Sequence, residues 1–113
     1  MCDQTALNQI IGKVIRAAED SLGDKLDKVI LYGSYARGDF DDESDIDILV
    51  LADIPQEDAW AARMKISELT GGLDLEYDVL ISLQVASRAI FYKFKDTIPF
   101  YGNVLRDGVM LRA

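Results

Sequence analysis

The chain has few of the features that mark secreted or membrane proteins. Its 113 residues contain one cysteine, Cys2, which excludes an internal disulfide, and a free thiol suits a reducing compartment. No apolar run approaches the roughly 20 residues that a membrane span requires. No basic and then apolar leader opens the sequence. We therefore expect a cytoplasmic protein with no membrane partner.

Positive charge is also scarce. Lys and Arg number 12 against 20 Asp and Glu, which gives a formal net charge of −8. Because sequence-independent binding of duplex nucleic acid depends on a broad basic surface, that class of partner is excluded. The acidic surface can serve solubility alone, or it can favour a basic partner or a ligand that arrives with metal cations.

Only two prolines interrupt a chain in which 50% of the residues are hydrophobic, which is typical of a folded protein. The length suits one domain covering residues 1–113. Interleaved helical and strand-like periodicities predict an α/β (α+β) fold, a small mixed β-sheet flanked by helices. The predicted elements are helix 5–22, strand 27–33, strand 45–51, helix 55–72, a long strand 73–83, and a tail of one or two short helices with a last edge strand.

Six carboxylates occupy the nine positions from Asp39 to Asp47, directly before an apolar strand. Strand alternation puts Asp45 and Asp47 on one face, with α-carbons about 6.7 Å apart. Two ionised carboxylates crowded at an apolar strand repel each other and lose hydration. A divalent cation removes that conflict, and Mg²⁺ is typically held by one or two carboxylates together with substrate phosphates. The pair therefore predicts a metal and a phosphate at the same site.

A third carboxylate is expected on the predicted long strand. Asp78 lies on its polar face and, from a neighbouring strand, could complete a site for two metal ions. Glu76 shares that face and is the second choice for the role. A calcium-binding loop counted from Asp39 is excluded, because its sixth position is Ser44 and its twelfth is Val50.

The first strand ends in Gly33 and Ser34. Glycine permits close approach of the backbone, and a helix beginning here would offer free N–H groups and the serine hydroxyl to a phosphate. Arg37 either contacts the same phosphates or is simply paired with the surrounding acids, and the sequence leaves both readings open.

The combination of Gly33-Ser34, ten intervening residues, Asp45-x-Asp47 running into the apolar ILVL, and a further aspartate downstream resembles the minimal nucleotidyltransferases of the DNA polymerase β superfamily. The closing segment PFYGNVLRDGVMLRA is similar to the end of these small proteins. The resemblance implies a nucleotidyltransferase fold in which Gly33 and Ser34 bind the nucleotide phosphates and Asp45 and Asp47 hold the metals. It makes Asp78 the third catalytic carboxylate.

The resemblance also implies a reaction. Members of this superfamily move a nucleoside monophosphate, usually AMP from ATP, to an acceptor hydroxyl with release of pyrophosphate. A chain of this size is similar to the antitoxin half of toxin–antitoxin pairs, whose partner is a helical HEPN-domain ribonuclease. In that family AMP is added to a tyrosine of the toxin.

Two other functions stay open. A module that neutralises its partner by contact alone would use the aromatic segments AIFYKF and PFYGNV of the tail, although a helical core also explains those residues. Transfer to a small molecule such as an aminoglycoside would need a pocket shared between subunits, and an oligomer is possible.

Overall fold

The first helix, α1, covers Gln4–Leu22 in the computed structural model, which describes residues 3–112. The Asp3 carboxylate accepts a hydrogen bond of 2.8 Å from the Ala6 N–H, which satisfies one of the free donors at the helix start. Gly23, with φ of 57°, ends the helix. The predicted first helix is confirmed, whereas the expectation of a free thiol at Cys2 lies outside the described residues.

Four strands form one mixed sheet in the order β3-β2-β1-β4. Strand β1 is antiparallel to both β2 and β4, and β2 is parallel to β3. The strands are β1 Leu26–Tyr32, β2 Ile46–Ala52, β3 Ile81–Ser87 and β4 Val109–Arg112. The predicted fold class is confirmed, and the expected last edge strand is β4.

The remaining helices are short, and several serve as connections between strands. They are α2 Ser34–Arg37, α3 Ala59–Leu69, α4 Leu73–Tyr77, α5 Arg88–Phe94 and α6 Pro99–Asp107, with 3₁₀ turns at Gly23–Lys25 and Gln56–Asp58. The predicted break near Pro99 is confirmed, because this proline is the first residue of α6. Across the described residues, no helix has the length and apolar character needed to cross a membrane.

The sheet separates two apolar clusters, because alternate residues of each strand point to opposite faces. On one face, strand residues pack against α1 and α3. On the other face, the cluster contains Phe91 of α5 and Val104 of α6, both inaccessible to solvent. Strand β2 is covered on both sides, since Ile48 belongs to the first cluster and Leu49 to the second.

The outer edge of β3 is occupied by side chains from the preceding helical segment. The Arg63 Nε donates a hydrogen bond of 2.8 Å to the Leu83 carbonyl oxygen. The backbone N–H of Ser87 donates one of 3.0 Å to the Gln56 Oε1. Two backbone groups of this edge strand are therefore paired within the chain.

The predicted long strand 73–83 is wrong over residues 73–80 and confirmed over residues 81–83. Leu73–Tyr77 forms α4, and β3 begins at Ile81 and continues to Ser87, into the segment assigned to tail helices. The alternating apolar residues include Leu73 and Tyr77, which are four positions apart and so also lie on one helix face. Leu73 is 6% exposed and Leu75 is 90% exposed, so the helical period decides which side chains are buried.

Alanine substitutions at two glycines, Gly108 and Gly12, should change the free energy of unfolding in opposite directions. A Cβ on Gly108 would overlap the Val104 carbonyl oxygen and lie 2.6 Å from the Ile30 Cγ2, whereas a Cβ on Gly12 of α1 meets nothing within 4 Å. We expect Gly108→Ala to lower the free energy of unfolding by about 1–3 kcal/mol. We expect Gly12→Ala to raise it by about 0.5–1 kcal/mol. Urea unfolding of both variants checks this, and equal changes would contradict the packing described.

Candidate active site

Asp45 and Asp47 lie together at the start of β2. Asp47 is the second residue of the strand and Asp45 precedes it, so alternation places both side chains on the α5–α6 face. Burial, and next the charge of Asp45, raise the pKa of Asp47, while the charge of Arg37 acts in the opposite direction. The structure therefore brings the predicted pair together as two crowded carboxylates.

Gly33 fits directly against Asp47. It joins β1 to α2 with φ of 75° and ψ of −157°, a region that is essentially restricted to glycine. A Cβ at this position would overlap the Asp47 Oδ2 and lie 3.2 Å from its Cγ. The backbone at the end of β1 and the carboxylate of β2 can approach this closely only because residue 33 has no side chain.

Ser34 begins α2 immediately beside this contact. The first hydrogen bonds of the helix run from the N–H groups of Ala36 and Arg37 to the Gly33 carbonyl oxygen, both at 3.1 Å. The N–H groups that precede them in a helix have no partner within it. The turn from Gly33 into α2 thus lies next to Asp47, and the binding of phosphate by Gly33 and Ser34 stays a prediction.

Arg37 is paired with acids and also acts on Asp47. Its Nε lies 3.1 Å from the Asp39 Oδ2, and its Nη1 lies 4.0 Å from the Asp107 Oδ2 of α6. Its charge lowers the pKa of Asp47 against the larger effects of burial and Asp45. The expected pairing is present, and the guanidinium is close enough to Asp47 to affect its ionisation.

Most of the acidic loop is structured by its own side chains. The Asp41 Oδ1 accepts hydrogen bonds from the Glu43 N–H at 2.9 Å and from the Ser44 hydroxyl at 3.2 Å. The rings of Tyr35 and Phe40 stack with centroids 4.3 Å apart and hold the loop against α2. The loop therefore brings the chain back to β2 in a defined path.

Asp78 does not lie on a strand. It is the only non-glycine residue with positive φ in the described part of the chain, at 52°, in the turn between α4 and β3. Together with Asp45 it lines a cavity of about 280 Å³. In the parallel register of β2 and β3, the residue opposite Asp47 is Ser82.

Glu76, the second choice, points elsewhere. Its Oε2 lies 3.3 Å from the Lys13 Nζ of α1, on another side of the molecule. Within residues 3–112, no three His, Cys, Asp or Glu side chains are grouped so that they could hold a metal ion. The structure thus unites Asp45 with Asp47 and places Asp78 beside Asp45, and the catalytic roles of all three stay predictions.

The sequence reasoning missed Tyr32, the last residue of β1. Tyr32 is the register partner of Asp47 in the antiparallel β1–β2 pair. Burial and the charge of Asp47 raise the pKa of Tyr32 to about 12, so the phenol keeps its proton at neutral pH. Its position directly before Gly33 was the available signal, because the residue before the turn pairs with the acidic end of β2.

Alanine substitutions at the two glycines that flank α2 distinguish the cost of backbone strain from the cost of a clash with Asp47. Gly33 and Gly38 both have positive φ, but a Cβ on Gly38 meets nothing within 4 Å. We expect Gly38→Ala to lower the free energy of unfolding by about 1–2 kcal/mol, and Gly33→Ala to lower it further and displace the Asp47 carboxylate. Urea unfolding and NMR titration of Asp47 check this. Equal losses with an unmoved Asp47 titration would contradict the contact.

The crowding of Asp47 gives a prediction for pH dependence. The raised pKa of Asp47 means that the folded state favours the protonated form, so stability from this group is lost as the pH rises above its ordinary value of 3.8 through the raised one. At neutral pH, with metal ions chelated, we expect Asp47→Asn to raise the Tm by a few degrees at most, because solvent screens the repulsion at a partly exposed carboxylate. The difference should shrink as the pH falls.

The control for that measurement is Asp42→Asn, which removes one charge from the exposed loop. It should leave the Tm nearly unchanged. Thermal melts monitored by circular dichroism would contradict the crowding at Asp47 if the two variants gained stability equally at every pH.

Comparison with sequences of other proteins places the chain in a family. A family model described as a nucleotidyltransferase domain matches residues 11–105. A relative from Methanocaldococcus jannaschii, provisionally assigned as a protein adenylyltransferase, is 39% identical over 94 residues, which are 83% of this chain and 93% of the relative. A second relative from the same organism, with the same assignment, is 37% identical over 101 residues, 89% of this chain and 93% of its own.

Solved structures agree with this placement. A crystal structure of a toxin–antitoxin complex with AMP-PNP contains a chain that superposes with a TM-score of 0.55 at 25% identity, covering 91% of this chain and 73% of the other. A nucleotidyltransferase fold from Sulfolobus solfataricus gives a TM-score of 0.57 at 24% identity, covering 96% and 86%. The family match over residues 11–105 confirms the resemblance first seen in the sequence, and the chain belongs to the nucleotidyltransferase domain family.

Proposed function

We propose that this nucleotidyltransferase moves AMP from ATP to a hydroxyl group on a protein, with Mg²⁺ as its metal. The observation that carries the proposal is the Asp45–Asp47 pair held at the end of a buried strand against the backbone of Gly33. The assignment of two relatives as protein adenylyltransferases supports a protein acceptor. The AMP-PNP in a structural neighbour supports ATP as the nucleotide.

The residues present fit a magnesium site. Asp45 and Asp47 supply hard oxygen donors, and burial and then the charge of Asp45 raise the pKa of Asp47, a cost that a bound cation would relieve. These two carboxylates would hold the metal, two ions being the family's arrangement, with Asp78 as the proposed third carboxylate. When bound, Mg²⁺ neutralises charge on the triphosphate and on the departing pyrophosphate.

The groups around the pair would position the nucleotide. The N–H groups and the hydroxyl at Gly33 and Ser34 would bind phosphate oxygens beside Asp47. Arg37 would exchange its exposed partner Asp39, at 3.1 Å, for a phosphate oxygen. All three residues lie in the turn and short helix α2 that directly follow β1, so the triphosphate would be held on the β1 side of the carboxylates.

The proposed reaction forms a bond between the acceptor hydroxyl oxygen and the α-phosphorus. The bond from that phosphorus to the oxygen bridging the β-phosphate breaks, and pyrophosphate leaves with the electron pair. The hydroxyl proton must pass to a base, and we assign that role to Asp78, which lines the cavity next to Asp45. The products are AMP-modified protein and pyrophosphate.

For the acceptor we propose a tyrosine of a HEPN-domain toxin. A structural neighbour at 22% identity, with a TM-score of 0.51, comes from a complex between an AMPylated Shewanella oneidensis HEPN toxin and an MNT antitoxin. That likeness shows the fold alone, and the extension to this chain is ours. The net charge of −8 favours a partner with a basic surface.

Transfer of label from α-labelled ATP tests the proposal. The protein, Mg²⁺ and the product of the neighbouring gene should together give a labelled partner protein, with the label on tyrosine by mass spectrometry. Asp47→Asn should slow the reaction by about 100-fold or more, the scale of losing one preorganised charged group, and Asp24→Asn, which removes an exposed charge before β1, should not. An unlabelled partner protein, or equal rates in all three proteins, would contradict the proposal.

Neutralisation by contact alone is the alternative, and the exposed aromatic residues of the tail favour it. Phe100 and Tyr92 are each 38% exposed. If contact suffices, the double variant Asp45→Asn/Asp47→Asn should protect cells from the toxin as well as the parent protein does. Loss of protection in a variant that still binds the toxin would support transfer.

A further inference from the structure

Four aromatic rings lead from the core to the carboxylate pair. Phe91, inaccessible to solvent, lies 4.9 Å from Tyr101 between ring centroids, and Tyr101 lies 5.8 Å from Phe100. Phe100 meets Tyr32 at 5.4 Å with the ring planes 79° apart. This edge-to-face arrangement is favourable for aromatic pairs. The core thus fixes the position of Phe100, although that residue remains 38% exposed.

The ring series ends at Asp47. Tyr32 is opposite Asp47 in the register of β1 and β2, and the charge of Asp47 contributes to the raised pKa of Tyr32. On the other side of Asp47, the register partner in β3 is Ser82. The four aromatic rings therefore lie on the β1 side of the carboxylates. Gly33 is on the same side, because it follows Tyr32 directly in the chain.

We propose that Phe100 stacks against the base of the bound nucleotide and is thereby a specificity-determining residue. The proposal rests on the proposed function, which holds the triphosphate at Gly33 and Ser34. A nucleotide anchored there would lie beside Tyr32, and the half-exposed ring of Phe100, which packs against Tyr32, would offer its base a flat apolar surface. Stacking depends on the area of the π-face, so purine nucleotides should bind more tightly than pyrimidine nucleotides.

Tyr92 provides a matched control. It is also 38% exposed, but its hydroxyl accepts a hydrogen bond of 3.0 Å from Lys28 at the opposite end of β1. Removing its ring changes the same exposed fraction of an aromatic side chain far from Asp47. A general effect of lost aromatic surface would appear in both variants, whereas a nucleotide contact would appear only at Phe100.

The test compares two ligands that share a triphosphate. Calorimetry measures the Kd of ATP and of inorganic tripolyphosphate, each with Mg²⁺, for the parent protein, Phe100→Ala, Phe100→Leu, Phe100→Trp and Tyr92→Ala. We expect Phe100→Ala and Phe100→Leu to weaken ATP binding by about 5- to 100-fold and to leave tripolyphosphate binding unchanged. Phe100→Trp should retain ATP binding, and Tyr92→Ala should bind both ligands as the parent does.

The outcomes separate this inference from the function on which it rests. A parent protein that binds neither ligand overturns both. A parent that binds ATP, with an unchanged ATP Kd in Phe100→Ala, overturns the stacking alone, and a loss of acceptor labelling in that variant would then assign Phe100 to the acceptor. Equal weakening of ATP and tripolyphosphate in Phe100→Ala would also overturn stacking, because it would indicate damage to the phosphate site.

Discussion

The close approach between the Gly33 backbone and the Asp47 carboxylate is the constraint on which the site depends. It arises from the antiparallel pairing of β1 and β2, in which Tyr32 is opposite Asp47. A shift of this register by one residue would turn Asp47 into the cluster beneath α1 and α3. The register of β1 and β2 therefore determines the positions of the turn at Gly33, the start of α2 and the carboxylate pair together.

The sheet can carry this charge because β2 is its most buried strand. Helices cover both of its faces, and every residue from Ile48 to Ala52 is buried. A strand fixed in this way holds the backbone at Asp47 and beside Asp45 in place despite the repulsion between the two carboxylates. The packing of β2 thus supports an electrostatically unfavourable site, as in other preorganised sites.

The sequence predicted those parts whose signals are local. The long amphipathic helix, the strands on either side of the acidic loop and the joint placement of Asp45 and Asp47 follow from periodicity and alternation. The segment 73–77 was wrongly assigned to a strand because alternation over five residues cannot distinguish period 2 from an i, i+4 pair, and Leu73 and Tyr77 fit both. Tyr32 was missed, and Phe100 was interpreted only as part of the tail segment PFYGNV, because their contact joins residues far apart in sequence, which only the folded sheet brings together.

The side chains that occupy the rim of β3 have a consequence for behaviour at high concentration. An open strand is a template on which another chain can add its own, and this process seeds aggregates. Arg63 and Gln56 take up backbone groups at Leu83 and Ser87 that an incoming strand would need. The opposite edge strand, β4, has only four residues. Neither edge of the sheet therefore offers a long unpaired strand to which another chain could add.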